Sequence, residues 1–136
     1  MYKTQVTRFV QAVPEQVFAL WTEPERLCRW WGPKATAAVD LQPGGAWRLG
    51  MDYPGVGSMA AGGVYQEIGP TRLVFTLGWE GEDELHSTVT VDLIRRGTVT
   101  EMVLTHEGFP TEAMAAEHQQ GWSDCLDRLV AAAANP

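Results

Sequence analysis

Cysteine is nearly absent: Cys28 and Cys125 are the only two in 136 residues. Neither belongs to a CxxC pair, so a disulfide framework and a thiolate metal cage are both excluded as the basis of the fold. The two thiols are expected to be reduced and partly buried. Positive charge is also scarce. Ten Lys and Arg against 17 Asp and Glu leave a net charge of −7, which repels phosphate and argues against nucleic acid or an anionic membrane as partner. No apolar run approaches the roughly 20 residues that cross a bilayer, so no membrane span is expected. The opening MYKTQVTRFV has no apolar leader segment, and a cytoplasmic location follows as the expectation. Histidine is limited to His86, His106 and His118. None falls in an HxH or HExxH spacing, so neither a metal nor another cofactor is expected. GxSxG, GxGxxG and P-loop patterns are missing too, which removes the usual nucleophile elbow and phosphate cradles.

What remains is a globular composition: 45% hydrophobic and 20% charged residues, with no repeat, linker or low-complexity stretch. The length suits one domain spanning residues 1–136, large enough to bury a core without staples. Six Trp are many for this length. They imply a bulky core or an aromatic-lined cavity.

Hydrophobic periodicity predicts the elements. Residues 3–12 read as an opening strand. Pro14 suits the first turn of a helix, and Val17, Phe18, Leu20 and Trp21 follow at helical spacing. Pro24 ends that helix and starts a short second one through about Arg29. From residue 36 to 107 the pattern is strands and turns. Trp47, Leu49 and Met51 share one face of a strand, and Asp52-Tyr53-Pro54-Gly55 turns it. Further strands are expected over Gly63–Ile68, Leu73–Leu77, His86–Ile94 and Val99–His106. The turns between them fall at Gly69-Pro70, Gly81-Glu82-Asp83 and Arg95-Arg96-Gly97. After Gly108-Phe109-Pro110, Thr111 is a plausible N-cap for a helix of about twenty residues. Its stripe is Trp122, Leu126, Leu129, Val130 and Ala133, extended by Ala115, His118 and Met114. The sum is an α+β fold with its long helix laid on the concave face of an antiparallel sheet.

A strongly curved sheet cannot touch one straight helix everywhere, and the gap either fills or stays open. The C-terminal half of the stripe is small and aliphatic; the N-terminal half offers His118 and Trp122. Trp30 and Trp31, Trp47 and Met51, Trp79, Met102 and Leu104, and His106 with Phe109 are their candidate partners. Apolar walls with a few polar atoms describe a small-molecule site, and these eleven residues are its expected lining. The same aromatics could simply be core.

Four segments carry a resemblance: VPEQVFALWTEPERLCRWWGP at 13–33, PGGAWRLGM at 43–51, GVYQEIGPTRLVFTLGW at 63–79 and LTHEGFPTEAMAAEHQQGWSDCLDRL at 104–129. Together they make the chain similar to the START-like, birch-pollen-allergen-like (SRPBCC) superfamily. The group it most resembles is the C-terminal domain of activators of heat-shock-protein ATPase. The resemblance implies a helix-grip fold. About seven strands form a curved antiparallel sheet on a long C-terminal helix, two short helices follow strand 1, and a deep cavity lies between helix and sheet. It implies no single activity, since such folds serve lipid and hormone binders, aromatic polyketide cyclases and other proteins. Members that activate the chaperone carry a further N-terminal domain. This chain begins at its first strand, so chaperone activation is not the first expectation.

Three functions follow as expectations. The first is binding of a small apolar or aromatic ligand in the cavity. The second is a small polyketide-cyclase- or hydrolase-like enzyme using His106 as acid/base, with Glu101 and Glu107 close in sequence. The third is partner binding of the heat-shock-protein ATPase activator type. A homodimer would fit any of them, because related domains often pair.

Overall fold

The computed structural model describes residues 1–81 and 87–134. Strand β1 (Tyr2–Val10) leads into helices α1 (Pro14–Thr22) and α2 (Pro24–Leu27). Strands β2 (Thr36–Val39), β3 (Ala46–Tyr53), β4 (Gly57–Gly69), β5 (Arg72–Trp79), β6 (Ser87–Arg96) and β7 (Val99–Phe109) follow, and helix α3 (Glu112–Ala134) comes last. The strands form one antiparallel sheet in the order β1-β7-β6-β5-β4-β3-β2. This is the helix-grip arrangement expected from the sequence.

Local chemistry explains the boundaries. Pro14 opens α1, where a missing N–H costs nothing. Glu23 precedes Pro24 and is driven to extended backbone, which stops α1 before the single turn of α2 begins. Thr111 caps α3: its Oγ1 accepts the backbone N–H of Met114 at 3.2 Å. Along β7 the alternation buries Thr100, Met102, Leu104 and His106.

Several expected boundaries shift. β4 begins at Gly57 rather than Gly63, because it pairs with β3 back to Tyr53. Arg95 and Arg96 continue β6, and the reversal falls on Gly97, whose φ of +67° suits a residue without a side chain. β7 runs on through Gly108 and Phe109, since Tyr2 of β1 still has a partner there. The expected turn residues Glu82 and Asp83, and the strand start at His86, lie outside the described residues.

The interior is one apolar cluster. β1 contributes Val6 and Val10, α1 Val17 and Trp21, β6 Val89 and Val91, and α3 Leu126 and Leu129. α3 lies along β1, with lesser contact to β7 and α1. No described helix is long and apolar enough to cross a membrane.

Candidate functional site

Tryptophan decides where space remains. Trp21 meets Trp30 edge-on at 4.7 Å, and Trp31 stands perpendicular to Trp122 at 5.4 Å. Trp47 touches both Trp31 and Phe75. Four buried indoles have placed donors: Trp21 Nε1 donates to Met102 Sδ, Trp30 to the Leu20 carbonyl, Trp47 to the Thr76 carbonyl and Trp122 to His106. Each indole removes about 150–250 Å² from water, worth several kcal/mol at about 25 cal/mol per Å². The cluster therefore fills the inner part of the space between α3 and the sheet. The void left beside Trp21, Trp47 and Phe75 measures about 10 Å³, which is roughly one water. The deep internal cavity expected from the sequence is closed by these rings.

The open space lies beside the N-terminal half of α3, as a groove of about 750 Å³. One wall is α3, presenting Met114, His118, Gly121, Trp122 and Cys125 at helical spacing. The loop after α2 supplies Trp30, Trp31, Gly32 and Pro33. The sheet supplies Tyr53, Met59, Leu77 and Trp79. Arg29, Glu117, Asp124 and Arg128 add charges of both signs.

His106 sits behind this groove with no exposure to solvent. Trp122 Nε1 donates to its Nδ1 at 2.9 Å, so Nδ1 carries no proton. Nε2 therefore holds the hydrogen and donates to Ser87 Oγ at 2.5 Å, while Ser87 donates onward to the Leu77 carbonyl. Burial, aided by the neighbouring His118, pushes the imidazole down from 6.5 to about 3. His106 is thus a neutral ring with both nitrogens engaged, and it tethers β7 to α3 and β6. In this arrangement neither nitrogen is open to a substrate proton.

His118 differs. Its Nδ1 donates to the Met114 carbonyl at 2.9 Å. Its ring is held by Phe109 at 4.6 Å and His106 at 5.2 Å. Nε2 has no partner among the described residues. Every fully buried side-chain nitrogen and oxygen described does have one, so this atom is open.

Cys125 and Arg128 close one side. Arg128 Nε donates to the Trp30 carbonyl and Nη2 to the Trp31 carbonyl, both at 2.9 Å. Nη2 also reaches Cys125 Sγ at 3.1 Å. Burial raises the Cys125 thiol and outweighs the lowering by Arg128, which keeps it protonated. Cys28 is likewise half-buried, free and raised by burial. Among the described residues no group of three His, Cys, Asp or Glu could hold a metal.

Of the residues nominated from sequence, Trp30, Trp31, Trp79, His118 and Trp122 line the groove. Trp47, Met51, Met102, Leu104, His106 and Phe109 do not; they are buried in the core behind it. Their inward direction was legible, but the indoles that cover them belong to distant segments. Tyr53, Met59, Gly121 and Arg128 were not nominated. Gly121 alone carried a signal, as a glycine inside an amphipathic helix.

The family described as Activator of Hsp90 ATPase homolog 1-like protein matches residues 11–134. No curated protein sequence matches the chain significantly. Among solved structures, a protein of Chromobacterium violaceum is 25% identical with a TM-score of 0.80, covering 96% of each chain. CalU16 from Micromonospora echinospora is 25% identical with a TM-score of 0.75, over 98% of this chain and 76% of that one. An HSP90 activator from Plasmodium falciparum is 25% identical with a TM-score of 0.78, over 95% of this chain and 94% of that one.

Proposed function

The chain belongs to the Activator of Hsp90 ATPase homolog 1-like family, and on that premise we propose that it binds a small apolar or aromatic ligand in the groove beside α3. We read residues 1–136 as one domain acting in the cytoplasm. The observation that carries the proposal is the groove itself, about 750 Å³ with Trp30, Trp31, Trp79 and Trp122 on its walls. That volume falls inside the range of about 300–1,000 Å³ typical of small-molecule sites. Aromatic walls favour flat or apolar ligands, and the flanking charges of both signs leave a neutral ligand body as the best fit.

The test is native mass spectrometry of the purified protein with organic extraction of whatever it carries, followed by Trp fluorescence titration with polycyclic aromatics and fatty acids. Near-stoichiometric retention or saturable quenching supports the proposal. An empty protein that responds to nothing in the panel removes it. The native mass also reports whether two copies associate.

The likeness to an HSP90 activator at 25% identity supports a second reading, in which the groove takes a side chain of a protein partner. Stimulation of an Hsp90 ATPase by the purified chain is its test. No change in turnover at saturating concentration leaves the ligand-binding reading alone.

A further inference from the structure

We propose that His118 selects ligands bearing a hydrogen-bond donor on an apolar body, with that body lying over Gly121. The inference rests on the ligand-binding reading above and names the ligand class for the same groove.

The donor atom of His118 is already spent. A carbonyl oxygen only accepts, so the bond from Nδ1 to Met114 places a hydrogen on Nδ1. In the neutral ring Nε2 then carries a lone pair. That nitrogen has no partner among the described residues, and the ring around it is fixed by Phe109 and His106. A fixed, unpaired acceptor in an aromatic-walled groove favours a ligand that brings an N–H or O–H donor over one of the same shape without it.

Gly121 gives the ligand its place. A glycine inside a helix is less stable there than alanine. Its backbone is not in the left-handed region, and a Cβ added there meets nothing within 4 Å. Neither conformation nor packing within this chain requires it. It lies three residues beyond His118 on the same face of α3, and a flat body can rest there with its edge toward Nε2.

Carbazole and dibenzofuran test the idea, because they have nearly the same shape and differ in an N–H against a ring oxygen. Equilibrium dialysis at pH 8 measures both affinities. The wild type is expected to prefer carbazole by roughly fivefold, the size of one net hydrogen bond. His118→Leu brings the ratio to about one. His118→Gln, whose Oε1 can still accept, restores part of it. Thermal unfolding of each variant reports whether it is folded. Equal binding of the two compounds by the wild type overturns the role of His118 and leaves the groove as a ligand site. Binding of neither compound overturns the ligand class named here, and the ligand-binding reading itself falls only if the wider panel is also refused.

Discussion

Trp122 and His106 are joined by one hydrogen bond of 2.9 Å from the indole Nε1 to the imidazole Nδ1, wholly inside the protein. This contact fixes the tautomer of His106 and ties the helix α3 to the strand β7. It also makes the histidine a stability element rather than a proton carrier.

Acid should therefore weaken the fold through His106. In the unfolded chain the ring takes a proton near pH 6.5, and in the native state only near 3. Between those values the unfolded state binds more protons. The contribution is thus fully present above about 6.5 and lost as pH falls. At about 1.4 kcal/mol per unit, lowering pH from 6.5 to 5 costs about 2 kcal/mol. Urea unfolding at both pH values, compared with His106→Gln, checks this. A variant as acid-sensitive as the wild type would sink the assignment.

Trp122→Phe removes the donor and leaves Nδ1 buried without a partner. An unsatisfied buried acceptor costs about 1–3 kcal/mol, and the lost ring volume adds to it. Denaturant midpoints give the loss. Imidazole ¹⁵N shifts in the wild type should show Nε2 protonated and Nδ1 bare.

Gly121→Leu should separate binding from stability. The helix gains up to about 1 kcal/mol from losing its glycine, and the new side chain starts in open space on the groove wall. Thermal midpoint is expected to hold or rise while ligand titration goes flat. Retained affinity would place the ligand elsewhere.

Gly63→Ala should fail for a steric reason. A Cβ at this position would stand 2.0 Å from the Thr76 carbonyl oxygen, the same oxygen that accepts Trp47 Nε1. Strands β4 and β5 would have to part, at a cost of about 1–3 kcal/mol. A urea midpoint equal to that of the wild type would show that the sheet yields there.

Much of the architecture was legible because its causes are local. Pro14 and Pro24 bracket α1, and the alternation from Ser87 to Leu93 states which face is inward. Thr111 announces α3. The ends of β4 and β7 were not legible, since Gly57 is held in its strand by pairing with Tyr53 across the hairpin from β3, and Phe109 by Tyr2 of β1, far away in the chain.

The sequence by itself determined the class of fold, the order of its elements and the inward faces, because 2.0 and 3.6 residue periods are properties of the backbone. Only the tertiary structure decided which rings became walls and which became filling. Trp47 and Trp122 face inward alike, yet Trp47 packs into the core and Trp122 borders the groove. That outcome depends on the volume of residues drawn from α1, the loop after α2, the sheet and α3, which close packing must satisfy together.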